Sequence, residues 1–222
     1  GGHAAKIFGF GTDFLPNKIN APSPRGQSSL LDCQASFSGW LQQAKTVFKT
    51  SRFLLKDHKD FHVIEYHTQQ VIVLPVVANI GIVLCKVLRQ PLGQAIWELP
   101  AGGLRDDESL EEGALREFRE ETGVQINELA RLESLPSLIV SPNRLPMFPT
   151  IFQLNLSAQE FDDRLQHDDE IESVDLFSFS QIKEMIMTNE IFASIPLSIL
   201  SRFLLCHQSS HATLPAKTNT PS

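Results

Sequence analysis

The segment REFREETG, residues 116–123, sets three glutamates and two arginines into eight positions and ends at a glycine. Leu110, Ala114, Leu115 and Phe118 recur at helical spacing, so one face of this stretch is apolar and must be buried. Ser109 followed by Glu112 is a capping box, and Gly123 is a C-terminal stop. Together they predict a helix from about Leu110 to Glu121. At roughly 100° per residue, Glu117 and Glu121 fall roughly 40° apart at the edge of the apolar stripe, with Glu120 further towards solvent. Two carboxylates one turn apart beside a core repel each other, and need either a cation or a raised pKa. Arg116 can reach Glu120 at i+4, and Glu108 is a further partner. One reading of the run is a solvated charged face. The other is a hard-oxygen site for Mg²⁺ or Mn²⁺, completed by a backbone carbonyl brought close by Gly102 and Gly103 and by substrate phosphate. Spacing alone leaves both open.

Around this helix the chain reads as one mixed α/β domain. Residues 1–30 are rich in Gly, Pro, Ser and Asn without a period, and read as a loose arm. Trp40, Leu41, Ala44, Val47 and Phe48 fall at helical spacing and predict a short amphipathic helix. Strands are expected at Phe61–Tyr66, Val71–Val77 and Ile82–Leu88, the last two joined by an ANIG turn, and at Ile96–Leu99. Further strands are expected at Ile139 and at Met147–Leu156. An acidic loop at 168–170 then leads into a strand from about Val174. Ser180 is expected to cap a helix through Met187, and Pro196 to open another through Leu205. The domain thus runs over residues 31–206, and 207–222 read as a disordered tail.

Composition narrows the function. A net charge of −7 does not suit a broad nucleic-acid-binding surface. Cys33, Cys85 and Cys206 are odd in number, far apart and form no CxxC pair, which argues for a reducing compartment and against a disulfide or zinc framework. His58 and His62 share helical spacing but no further ligand accompanies them. The longest apolar run, Val71–Cys85, is too short to span a membrane and is broken by Pro75, Asn79 and Gly81. The opening residues do not read as a secretory leader, so a cytoplasmic location without membrane attachment is expected.

Gly102, Glu108, Arg116, Glu117, Phe118, Glu120, Glu121, Gly123 and Val124 match every position of the Nudix box, G-x5-E-x7-R-E-U-x-E-E-x-G-U, where U is bulky and apolar. Phe118 is a less usual choice at its U position. A chance match of the fixed residues is on the order of 10⁻⁸ per window. The chain therefore resembles the Nudix hydrolases, and the resemblance implies an α/β/α sandwich around a mixed β-sheet. Just upstream, WELPAGG and VLCKVLRQP look like elements of the ADP-ribose and nucleotide-sugar pyrophosphatase branch. Ser141-Pro142 is similar to its S-P-G, with Asn143 in place of the glycine.

Carried over residue by residue, the resemblance implies Glu117 and Glu121 as metal ligands with the Ala101 carbonyl. Glu120 would be a further ligand or a supporting group, and Arg116 with Glu108 would orient them. Arg89, Glu98 and Pro142 would lie near the substrate, although Arg89 also reads as an ordinary strand-end arginine. The general base would fall among Asp168, Asp169 and Glu170, on a loop able to close over the diphosphate. An exposed acidic turn is the other reading of that trio. The expected activity is Mg²⁺- or Mn²⁺-dependent hydrolysis of ADP-ribose or a related nucleoside diphosphate sugar, giving a nucleoside monophosphate and a sugar phosphate. The alternatives are a Nudix hydrolase of a dinucleoside polyphosphate, a nucleoside triphosphate or capped RNA, and a non-catalytic nucleotide-sugar sensor. A homodimer is expected from the same resemblance.

Overall fold

The computed structural model describes the backbone of residues 29–211, with side chains through His207. Residues 1–28 of the expected arm and 212–222 of the expected tail lie outside the described residues, and the last two residues of the arm, Ser29 and Leu30, instead cap and open a helix. The chain opens with α1 (Leu30–Gln43), β1 (Lys45–Lys49), β2 (Phe53–His58) and β3 (Phe61–Tyr66). These three strands form a small antiparallel sheet of their own.

Next come β4 (Gln70–Val77), β5 (Gly81–Arg89), β6 (Gln94–Glu98), β7 (Ala101–Gly103) and α2 (Leu110–Thr122). They are followed by β8 (Leu132–Leu135), β9 (Thr150–Leu156), α3 (Ala158–Asp162), β10 (Ile171–Ser178), α4 (Phe179–Met187) and α5 (Ser194–His211). Seven strands build the main sheet in the order β10-β5-β4-β9-β8, with β6 on β5 and β7 on β4. Only β4 and β9 run parallel, so the sheet is mixed, as the resemblance implies. Alternation along β4 sorts its side chains: Val71 and Val73 enter a core under α2, while Ile72, Leu74 and Val76 enter a second core under α4 and α5. The α/β/α sandwich follows from that alternation.

The hairpin β4–β5 holds register only at its turn, where Val76 pairs with Ile82 and Val77 with Gly81. Beyond that the two strands splay, and β6 and β7 fill the gap between them. The Val73 N–H donates to the Pro100 carbonyl across this splay at 2.9 Å. Residue 75, two positions on, faces the same way, so Pro75 sits inside a strand without sacrificing a ladder bond. The splay also brings β7 beneath α2, which sets the floor of the site.

Several boundaries differ from the sequence reading. The predicted helix through Phe48 ends at Gln43, and Val47 and Phe48 instead lie on the fully exposed strand β1. Their helical spacing continued a real helix by coincidence. His58 and His62 stand on adjacent strands, not on a helix. No strand forms at Ile139; the strand lies earlier, as β8, and Ser141 makes an isolated bridge to Leu145. Ser178, not Ser180, caps α4, because its capping-box partner is Gln181. Helix α5 begins before Pro196, whose missing N–H is tolerated in a first turn. The helix continues beyond Leu205 into the expected tail.

Candidate active site

Helix α2 starts where the sequence says. The Ser109 hydroxyl accepts from Glu112 N–H, the Glu112 carboxylate accepts from Ser109 N–H, and Gly123 closes the helix in the left-handed region at φ 75°. Ala114, Leu115 and Phe118 are buried in the core beneath it. That anchoring turns Glu117 and Glu121 towards the sheet edge at β7. Gly102 lies directly under Glu117: a Cβ there would overlap the Glu117 carboxylate. The glycine is required by close approach, so strand and carboxylate can share the space only without a side chain.

Arg116 organises the acids. Its Nε and Nη2 donate to both oxygens of Glu108 at 2.7 and 2.8 Å, and Nη2 also donates to the Gly103 carbonyl at 3.0 Å. Its Nη1 donates to Glu117 at 2.7 Å and to Glu120 at 3.0 Å. The Arg116 side chain is only 10% exposed, so the fork is locked in place. The Arg116 hydrogen bonds hold the Glu108 carboxyl down at about 2, and the Glu108 bond in turn raises the guanidinium pKa.

Glu121 is in the opposite condition. Burial pushes its carboxyl up to about 8, with Glu117 and Glu98 adding repulsion. A hydrogen bond from Ala101 N–H at 3.0 Å and the charge of Arg89 oppose the rise. Arg89 and Glu98 form a two-pronged pair at 2.8 and 2.7 Å on β5 and β6, and the Glu98 hydrogen bonds raise the Arg89 pKa. Thus Arg89, Glu98, Glu117 and Glu121 share one electrostatic neighbourhood, with Glu170 at its edge.

The other candidates fall differently. Asp168, Asp169 and Glu170 are exposed, but their backbone is tied down. Asp168 N–H donates to the Glu120 carbonyl at 2.9 Å, and Leu88 N–H donates to the Glu170 carbonyl at 3.3 Å. The loop is therefore fastened to the end of α2 and to β5, rather than hinged away from them as a closing flap requires. Pro142 lines a separate cavity of about 240 Å³ with Phe37, Trp40, Phe61 and Val63, none of them an acid of α2. An apolar cavity of about 310 Å³ lies on the other side of the sheet, between β8, β9 and α5. Its polar lining is Gln153, Arg202 and His207, with Arg202 already donating to the Pro136 and Ser137 carbonyls.

Arg105 escaped the sequence reading. Its guanidinium donates to Glu120 Oε1 at 2.9 Å, and its signal was a basic residue in the loop between Gly102 and Glu108.

Among the described residues, no three His, Cys, Asp or Glu side chains surround one point as a ready-made metal centre. Their oxygens are instead occupied by Arg116, Arg105 and the Ala101 amide. The donor set nevertheless fits a hard divalent cation: all donors are oxygens, and the partly buried Glu121 beside Glu117 has its carboxyl pushed up to about 8, a carboxyl that a cation would help to ionise.

A family model described as "NUDIX domain" matches residues 67–196. The chain is similar to an RNA pyrophosphohydrolase of Shewanella frigidimarina, 40% identical over 65 residues, 27% of this chain and 38% of that protein. It is also similar to an RNA pyrophosphohydrolase of Haemophilus influenzae, 44% identical over 52 residues, 21% of this chain and 26% of that protein. The matches thus span 38% or less of the length of these curated relatives. Both relatives are named for RNA, and neither for the ADP-ribose branch that the upstream motifs resemble.

Proposed function

This chain belongs to the Nudix family, its domain model covering residues 67–196, and from that premise we propose that it hydrolyses the diphosphate bond of a nucleoside diphosphate derivative. The substrate class we favour is a small nucleotide sugar such as ADP-ribose, cleaved to a nucleoside monophosphate and a sugar phosphate. The observation carrying the hydrolase reading is the partly buried Glu121 beside Glu117, with Arg116 spanning Glu108, Glu117 and Glu120. The net charge of −7 supports a small substrate, because a long RNA chain would find little broad positive surface to hold its phosphates.

Glu117, Glu120 and Glu121, with the Ala101 carbonyl, would hold the divalent cation. When bound, Mg²⁺ or Mn²⁺ would neutralise the diphosphate and lower the pKa of the attacking water. Arg116 keeps Glu117 and Glu120 aimed at that place, itself held by Glu108. Arg89, 45% exposed and steered by Glu98, would orient a phosphate. A carboxylate of Asp168, Asp169 or Glu170 takes the proton of the water as it attacks phosphorus and the P–O bond of the leaving phosphate breaks.

The second reading is a capped or phosphorylated RNA end, and the names of the similar proteins favour it. A panel of ADP-ribose, nucleotide sugars, dinucleoside polyphosphates and 5′-phosphorylated or capped RNA, with Mg²⁺ and chromatographic product analysis, separates the two. AMP and ribose phosphate from ADP-ribose at the highest kcat/KM is the expected result. RNA turned over at a higher kcat/KM would replace the first reading with the second.

The proposal includes a homodimer. Helix α1 has no buried residue, and Val47 and Phe48 stand exposed on β1, so a second copy is the proposed cover. It also includes a reducing compartment such as the cytoplasm, which suits the free Cys33 and Cys85. Among the described residues, no helix is long and apolar enough to cross a membrane.

A further inference from the structure

Glu120 is gripped by two arginines of unequal mobility. Oε2 accepts from Arg116 at 3.0 Å and Oε1 from Arg105 at 2.9 Å, so each carboxylate oxygen already has a cationic donor. Arg116 cannot leave, because Glu108, Glu117 and the Gly103 carbonyl hold the rest of its fork. Arg105 is different: its side chain is 64% exposed, and it sits on the loop before α2 rather than on a regular element. The guanidinium also borders a cavity of about 540 Å³ whose lining includes Asp106 and Asp107. A displaced Arg105 would find both room and carboxylates there.

We propose that Arg105 is a displaceable counter-ion, a positioning residue that competes with the divalent cation for Glu120. This rests on the metal-site reading of α2. Arg105 takes up one of the two lone pairs of Glu120 Oε1, which makes that oxygen a poorer ligand, and a guanidinium this close also repels an incoming divalent ion. Metal entry is therefore favoured when Arg105 swings out. Removing its charge lets the metal in more easily at the cost of one exposed ion pair. Because the pair is exposed, the gain is modest, about two- to fivefold in affinity.

The test is calorimetric titration of Mn²⁺ into the full chain without substrate, for wild type, Arg105→Gln, Glu120→Gln and the double variant. Arg105→Gln should bind Mn²⁺ about two- to fivefold more tightly than wild type. The gain should shrink when Glu120 is already Gln, where only the relief of charge repulsion remains. Arg105→Ala repeats the measurement should the Gln variant fold poorly. Equal or weaker binding by the Arg105 variants overturns the inference, and so does a gain that persists undiminished beside Glu120→Gln. Wild-type protein that takes up no Mn²⁺ would remove the metal-site reading itself, whereas wild-type binding without a gain removes only the role of Arg105.

Discussion

At the scale of single residues, Glu121 and Gly102 bear the clearest consequences. Gln is isosteric with protonated Glu121 and can still accept from the Ala101 amide. Glu121→Gln should therefore keep or slightly raise the melting temperature, while kcat falls by about 10² or more. Thermal unfolding and steady-state kinetics on one preparation check both halves. Gly102→Ala should act by displacement: its methyl group takes the place of the Glu117 carboxylate, and kcat should drop by at least about tenfold. An alanine variant with wild-type turnover would show that the carboxylate is free to sit elsewhere. The identities of these residues were legible, since the box motif lists them. What each touches was not. A motif records that position 102 is glycine, but only the packing of β7 under α2 explains it. Arg105 had no motif to announce it, because its partner lies fifteen positions away across a loop.

At the scale of elements, capping chemistry was legible at α2, misplaced by two residues at α4 and missed at α3, while uncapped periodicity misled outright. Ser109 and Glu112 fixed the start of α2 correctly because the two side chains satisfy each other locally. Val47 and Phe48 misled because a five-residue exposed strand carries no pattern of its own, and residues following a helix can match its period by chance. Helix α3 was missed for the same reason; its five residues are too few for a periodic signature.

That helix has a testable pH response. Glu160 completes the Ser157 capping box and accepts two bonds from Arg131, at 2.6 and 3.0 Å, and the Arg131 bonds hold its carboxyl down at about 2. A depressed carboxylate contributes stability above its unfolded pKa of about 4.5 and loses it as pH falls towards about 2. The melting-temperature gap between wild type and Glu160→Gln should be full at pH 6 and close progressively between about pH 4.5 and about pH 2. A gap independent of pH would mean that the pair contributes nothing through its charge.

At the scale of the whole molecule, the sandwich was legible through the resemblance that the box motif carries, and the near-continuous apolar runs of β4 and β5 agree with it because they demand cover on both faces. The separate small sheet was not, since nothing local tells β3 to pair with β2 instead of with β4. Its exposed Val47 and Phe48, together with α1, underlie the proposed dimer. Light scattering at micromolar concentration should give twice the chain mass, and replacing both residues by serine should reduce it to one. A monomeric mass for the unaltered chain would end that proposal. The acidic loop carries a different implication. Because the Asp168 amide is spent on the last turn of α2, its hydrogen can trade with solvent deuterium only when the loop parts from that turn. The exchange rate of one backbone amide thus becomes a clock for how long the acidic loop stays fastened to the helix that carries the acids, readable with no substrate present.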